Sequence, residues 1–199
     1  KDPKPILKHV GKIFEGIHTL NYETGGTKNN RIYDINALVS EEGEEIPIKT
    51  IQVEAKVESW LKKVINEMKD GLRKLFYQYY SQHMQGTKKQ LEREKLMAVI
   101  KKFPGQVLLT CASMSWTTDV LFALTQLEQF GQPNALRKCK QNYKKKVESY
   151  IELVEKPGIS KVDRLKLVAL IIIDEHNREI IERIYSQKIT SPRNFEWLQ

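Results

Sequence analysis

Val57-Glu58-Ser59-Trp60-Leu61-Lys62-Lys63-Val64 opens a stretch in which Val57, Trp60, Leu61, Val64, Met68, Leu72, Leu75, Phe76 and Tyr79 recur at steps of three and four residues. Side chains so spaced share one face of a helix, because 3.6 residues complete a turn. A half-buried strand would instead alternate with a period of two. The spacing predicts one long amphipathic helix across residues 54–82, and the fold class is mainly α.

The chain beyond it reads the same way. Gly86-Thr87 is a break, followed by a short helix over 88–101 and a new helix opened by Pro104-Gly105. In that helix Val107, Cys111, Met114 and Leu121 line one face, and Leu109, Ala112, Trp116, Val120 and Leu127 another. Apolar on two faces, it is expected at the centre of its bundle. Gly131, Pro133 and Asn134 end it. Leu136, Cys139, Tyr143, Val147, Tyr150 and Val154 then repeat at helical steps up to Pro157-Gly158. Ser160 with Asp163 has the spacing of an N-cap pair for a last helix reaching about Lys188. Ser191-Pro192 stops it and leaves a short apolar tail, Phe195-Glu196-Trp197-Leu198.

Upstream, Ile6, Leu7, Val10, Ile13, Phe14, Ile17 and Leu20 predict an amphipathic helix over 5–20, weakened by Gly11 and Gly16. Residues 22–31, with Gly25-Gly26 and Asn29-Asn30, read as a polar loop. Ile32 to Val39 alternates, Gly43 supplies a turn, and Glu45-Ile46-Pro47-Ile48 resumes extended character. This is a β-hairpin whose second strand lies at an edge, since Pro47 has no backbone donor. The expected architecture is an elongated array of antiparallel helices with one small hairpin. It divides into residues 1–53 (helix, loop and hairpin) and a helical bundle over 54–199.

The 199 residues are 40% hydrophobic and 29% charged, which is far from the composition of a disordered chain. The sequence starts Lys1-Asp2-Pro3 without Met or a signal-like stretch, as expected of an excerpt from something longer. Its longest uninterrupted apolar run, Leu167 to Ile173, is seven residues, against the roughly 20 that span a bilayer. Cys111 and Cys139 form no CxxC spacing and read as buried thiols in a reducing compartment. The net charge of +8 permits an acidic partner and selects none.

Candidate chemistry is sparse. Thr24-Gly25-Gly26-Thr27-Lys28 looks like a phosphate loop, but it lacks the Gly-Lys-Ser/Thr that opens a helix in a Walker A motif. His9, His18, His83 and His176 are scattered, with no metal-ligand spacing. Asp174-Glu175-His176-Asn177-Arg178-Glu179 holds the residue types of acid–base catalysis. Its plainer reading is a polar helix face, with Glu175 set against Glu179 and Arg178 against Glu182. Lys138, Lys140, Lys144, Lys145 and Lys146 form either a solvated face or a patch for an anionic partner. Trp60 and Trp116 sit at core spacing rather than in a ligand pocket. No catalytic, cofactor-binding or metal residue emerges.

Four separated stretches carry a family resemblance. Val57-Glu58-Ser59-Trp60-Leu61 is similar to the Val-Glu-x-Trp-Leu of dynein heavy-chain linkers. Phe103-Pro104-Gly105-Gln106-Val107 is similar to that family's aromatic-Pro-Ala/Gly-Gln-Val. Trp116-Thr117-Thr118-Asp119-Val120 resembles its Trp-Thr-x-Asp/Glu-Val. Leu170 to Glu179 resembles an apolar run followed by Asp-Val-His-Ala-Arg-Asp. Ser191 to Leu198 resembles the family's next stretch, Ser-x-x-x-Phe-Glu/Asp-Trp-Leu, and Lys8 to Phe14 and Ser40 to Glu44 also fit. The chain departs at Glu175, Asn177 and Glu179, and Tyr79 to Leu96 does not match closely.

The resemblance implies the C-terminal part of the linker of a dynein heavy chain, just before the first AAA+ module, and more axonemal than cytoplasmic. It implies a non-catalytic lever in a microtubule motor of the cilium or flagellum. The lever's partner would be the AAA+ ring of the same heavy chain, and it would need no cofactor, nucleic acid or membrane of its own. Trp60 and Trp116 are then expected in the core, Asp174, His176 and Arg178 as a structural or docking patch, and Glu41 and Glu42 as an exposed contact for the ring. Phe195 and Trp197 are expected to pack at the junction with the next module. The loops 22–31 and 129–134 are where such a lever would yield. The competing readings are a helical adaptor that binds an acidic partner through the lysine face, and an enzyme built on Asp174 to Arg178.

Overall fold

A computed structural model describes residues 4–27, 30–84, 93–194 and Trp197. The chain divides into two compact units, residues 1–81 and 82–199. The first unit reaches past residue 53 because the first long helix packs on the sheet.

The first unit begins with two short helical segments, α1 (Lys4–Leu7) and α2 (Val10–Ile13). A three-stranded antiparallel sheet comes next: β1 (Thr19–Thr27), β2 (Asn30–Val39) and β3 (Glu45–Gln52), in the order β1-β2-β3. The helix expected over 5–20 is therefore not continuous. Phe14 is already extended and Gly16 has φ +81°, a left-handed conformation that stops a helix and suits glycine. Val10, Phe14, Ile17 and Leu20 still enter one core with Ile35, Leu38, Ile51, Trp60 and Val64. Their spacing marked burial correctly, but a strand and two short turns deliver it.

The loop expected over 22–31 is mostly strand. Tyr22 pairs with Ile35 and Thr27 with Asn30, so the single hairpin becomes a three-stranded sheet. From Glu23 to Thr27 every side chain is exposed, so no apolar alternation marks the strand. The expected β2–β3 hairpin is present. Gly43 has φ +88° in its turn, which closes through Ser40 N–H to the Glu44 carbonyl (2.9 Å) and Gly43 N–H to the Ser40 carbonyl (3.1 Å). Pro47 lies in the edge strand β3. Helix α3 (Val57–Tyr79) buries Trp60 and Val64 completely against the sheet, and it runs into a π-helical turn, Tyr80–Met84.

The second unit holds α4 (Arg93–Lys102), α5 (Gly105–Phe130), α6 (Ala135–Val154) and α7 (Lys161–Ser186). The break expected at Gly86-Thr87 and the start of the helix expected over 88–101 lie outside the described residues. Gly131 ends α5 in the left-handed conformation, and the Ser160 hydroxyl caps α7 by accepting from Asp163 N–H (3.0 Å) and donating to its carboxylate (2.8 Å). Val120, Ala123 and Leu124 of α5, Leu136, Cys139 and Tyr143 of α6, and Ile181 and Ile184 of α7 form the core with Ile189.

Helix α5 is covered on one side only, which corrects the expectation of two buried faces. Met114, Leu121 and Phe122 are 39, 37 and 65% exposed. The hydroxyls of Thr110, Thr117, Thr118 and Thr125 each donate to the carbonyl four residues back, so their polar groups are satisfied within the helix. By length and composition α5 is apolar enough to cross a bilayer, a test that the core helix of a soluble protein also passes.

Candidate functional site: a buried charge network across three helices

Consecutive helical residues point about 100° apart, so the polar run from Asp174 to Glu179 cannot form one surface. Asp174 and Asn177 turn inward and are buried. Glu175 and Arg178 are half-exposed and pair with each other, with Arg178 Nε donating to Glu175 Oε2 at 2.9 Å and a second contact through Nη2. The pairings expected with Glu179 and Glu182 give way to this one. The hydrogen bond from Arg178 holds the Glu175 carboxyl below its ordinary value, against the opposing effect of burial. His176 is exposed. Buried Asp174, the Glu175–Arg178 pair and exposed His176 therefore occupy three separate environments, and the catalytic reading of this cluster loses its geometry.

What Asp174 does instead is bind α7 to α6. Lys146 Nζ lies 2.8 Å from Asp174 Oδ2, while Asn177 Nδ2 donates to Oδ1 at 3.3 Å. The Lys146 contact is one of charge rather than of an aligned hydrogen bond. The same ammonium sits over two aromatic faces, 5.2 Å from the Tyr143 centroid and 5.9 Å from that of Tyr150. Residues 143, 146 and 150 are spaced three and four apart, so both rings and the ammonium share one side of α6. The Tyr143 hydroxyl then donates to Asp119 Oδ2 of α5 at 3.1 Å, where the Ser115 hydroxyl also donates at 3.4 Å.

A continuous polar chain thus runs from Asp119 through Tyr143 and Lys146 to Asp174 and Asn177, tying α5, α6 and α7 together. Burial, together with the charges of Asp119 and Asp174, pushes the Tyr143 phenol well above its ordinary range. Burial and Asp174 do the same to Tyr150. Both phenols stay neutral, and Tyr143 remains a donor.

A second tie joins α7 to α4. Lys166 Nζ donates to the carbonyls of Ile100 (3.2 Å) and Phe103 (3.1 Å), satisfying groups at the end of a helix. This places the Phe103-Pro104-Gly105 stretch on α7. His83 lies edge-on to Phe103 with centroids 6.1 Å apart, and burial with Lys102 nearby lowers its pKa.

The remaining candidates are dispersed. Trp60 is a core residue as expected. Trp116 is only partly buried and packs on Trp197, with centroids 5.8 Å apart. Trp197 is therefore already partly covered within the chain, and Phe195 lies outside the described residues. Glu41 and Glu42 are exposed at the hairpin tip, and Glu44 is half-buried. Thr24 to Thr27 lie in β1 and cannot wrap a phosphate, and Lys28 is outside the described residues.

Lys140 pairs with Glu182, Lys144 with Glu148 (3.9 Å) and Lys146 with Asp174, so much of the lysine run is neutralised and the adaptor reading weakens. An open groove of about 250 Å³ between α6 and α7, lined by Leu136, Arg137, Lys140, Ile181, Glu182 and Tyr185, holds no catalytic grouping. Cys111 and Cys139 are buried and form no disulfide, and burial pushes the Cys111 thiol up to about 11. Among the described residues no three His, Cys, Asp or Glu side chains are placed to hold a metal ion.

Asp119, Tyr143 and Lys146 were visible in the sequence only in other roles: a motif residue, a core aromatic and one lysine among five. The available signal was the Tyr-x-x-Lys-x-x-x-Tyr spacing on one helix and an Asp on the apolar stripe of another.

Residues 1–79 match the family model described as "Dynein heavy chain, N-terminal region 2". The chain is similar along its whole length to dynein axonemal heavy chain 2 of Homo sapiens, with 28% identity over 199 residues. It is similar likewise to the dynein-1-beta heavy chain of the flagellar inner arm I1 complex of Chlamydomonas reinhardtii (29% over 202 residues). Dynein axonemal heavy chain 5 of Rattus norvegicus is 30% identical over 200 residues. All three comparisons cover 100% of this chain but only 4, 4 and 5% of those relatives. The matched description names an N-terminal region. It does not name the C-terminal end of a linker before the first AAA+ module, and the coarser placement replaces that narrower one.

Proposed function

From this homology to the N-terminal region of dynein heavy chains, we propose that the chain is a non-catalytic mechanical segment of an axonemal dynein. In this reading it belongs to the linker, works in the axoneme of a cilium or flagellum, and carries displacement produced by the AAA+ ring of the same heavy chain. The observation that supports a lever is the chain of buried polar contacts from Asp119 to Asp174, which crosses three helices of 26, 20 and 26 residues. A part that transmits displacement must resist sliding between its rods, and buried contacts with fixed partners resist it better than a greasy seam does.

The chain itself neither binds nor hydrolyses ATP in this proposal. The glycine-containing stretch with the look of a phosphate loop is paired as a strand from Thr24 to Thr27. Titration calorimetry of the chain with Mg-ATP should give only heats of dilution. Micromolar binding at one site per chain would overturn the non-catalytic assignment. The mechanical half is tested in an intact heavy chain, by comparing microtubule gliding with ATP turnover when a flexible insert uncouples the chain from the ring.

A further inference from the structure

We infer that the Lys146–Asp174 pair is a register pin: it sets which turn of α6 faces which turn of α7 and adds little to stability. The inference does not rest on the lever reading, since it concerns only how two helices of this chain choose their alignment.

The buried part of the seam between α6 and α7 is otherwise mostly apolar at helical steps, with the Lys140–Glu182 pair and the Arg137–Tyr185 contact at its exposed rim. Helix α6 buries Leu136, Cys139, Tyr143, Val147, Tyr150 and Leu153, and α7 buries Leu167, Leu170, Ile181 and Ile184 around Asp174 and Asn177. Sliding one helix by a turn, about 5.4 Å, brings apolar rows back against apolar rows. Hydrophobic contact is non-directional and separates such registers poorly. A buried charge separates them sharply. One turn away, Asp174 would lose its ammonium and keep a fully buried carboxylate, whereas the Tyr143 and Tyr150 faces, on the same helix as Lys146, would move with it. An uncompensated buried charge is among the costliest arrangements in a protein interior.

The same physics limits what the pair gives to stability. Desolvating a carboxylate and an ammonium consumes most of their attraction, and well-packed apolar replacements of a buried pair are often neutral or better. A single buried polar residue that selects register in a coiled coil obeys the same logic. Here the Tyr143–Asp119 hydrogen bond extends the pin, because it fixes α6 against α5 from the neighbouring turn.

The test uses the 199-residue chain with Asp174→Leu, Lys146→Met and the double variant, each measured by two readouts. Lys146→Met alone strands the fully buried Asp174 carboxylate and should lower the folding constant by ~100-fold or more, whereas Asp174→Leu leaves an ammonium that is a third exposed and should cost less. The double variant should return to within ~10-fold of the unsubstituted chain. For alignment, nitroxides on Gln141→Cys and Glu179→Cys, both exposed positions, report the distance across the seam by pulsed electron resonance. The buried thiols of Cys111 and Cys139 should escape labelling.

The unsubstituted chain should show one narrow distance. The double variant should add a population displaced by about one helical turn, ~5 Å. A single narrow distance in the double variant would overturn the pin, because register would then be set elsewhere. A double variant as unstable as Lys146→Met would also overturn it, by making the pair a source of stability. If Lys146→Met does not fold, the double variant still decides on both readouts.

Discussion

Alkali should weaken the α5–α7 unit through Tyr143 and Tyr150. Both phenols are pushed above their ordinary value in the folded chain, mainly by burial and then by acidic neighbours, Asp119 and Asp174 for Tyr143 and Asp174 for Tyr150. In the unfolded chain they titrate near 10. Below that value both states hold the proton and the tyrosines contribute no pH dependence. Above it the unfolded state releases the proton and the folded state keeps it, so stability falls as pH rises. Each phenol then withdraws about 1.4 kcal/mol by pH 11, and the two together about 2.8 kcal/mol.

Lys146 faces both rings and Asp174 in the same cluster, so variants must separate the contributions. Urea melts at pH 8, 9, 10 and 11 on the unsubstituted chain and on Tyr150→Phe make that separation. Tyr150→Phe leaves Lys146 and Asp174 in place and should remove about half of the loss between pH 9 and 11. Absorbance of phenolate should show two of the chain's eight tyrosines titrating only as the unit unfolds. Equal pH slopes in the two proteins, with all eight phenols titrating near pH 10, would refute the buried network.

Core position sets two further outcomes. Trp60→Ala empties a fully buried site in the first unit and should cost about 3–5 kcal/mol, whereas partly buried Trp116 should cost less in the second. Hydrogen-exchange protection measured unit by unit checks this, and a larger loss at Trp116 would contradict the burial described. Charge reversal at Glu41 and Glu42 removes exposed carboxylates from a hairpin tip, so Tm should move by no more than ~2 °C. In an intact heavy chain the same reversal should slow gliding, and unchanged gliding would remove the tip as a contact for the ring.

Much of the helical unit was legible because its signals are local. Ser160 and Asp163 cap α7 as their spacing suggests, and Gly131 ends α5 where a left-handed residue is needed. The first unit was read less well, for a physical reason. Ile17 and Leu20 keep helical spacing from Val10 and Phe14, yet all four are buried through a strand and short turns, and spacing reports burial before it reports backbone. From Glu23 to Thr27 strand β1 is held by backbone pairing and is exposed, so nothing in the composition of that stretch marks it. Met114 and Leu121 show the converse, since an apolar residue can be left uncovered and the sequence does not say by what.

The candidate site was harder still. Asp174 and Lys146 are 28 positions apart, and each sits in a run of polar residues that reads as solvated. Only the packing of α6 on α7 turns one inward to meet the other. The pairing needs tertiary structure, whereas the helix faces that carry it do not.

The central claim, that this chain transmits displacement, is tested most directly by giving it slack. Ten Gly/Ser residues inserted after Gln199 in an intact heavy chain have a root-mean-square reach of roughly 17 Å, from about 5–6 Å times the square root of length. That exceeds a one-turn helix shift of ~5.4 Å and is enough to absorb much of a conformational stroke. Microtubule gliding velocity should fall severalfold while basal ATP turnover stays near that of the uninserted motor. Gliding at the original speed with turnover unchanged would show a passive tether and contradict the lever.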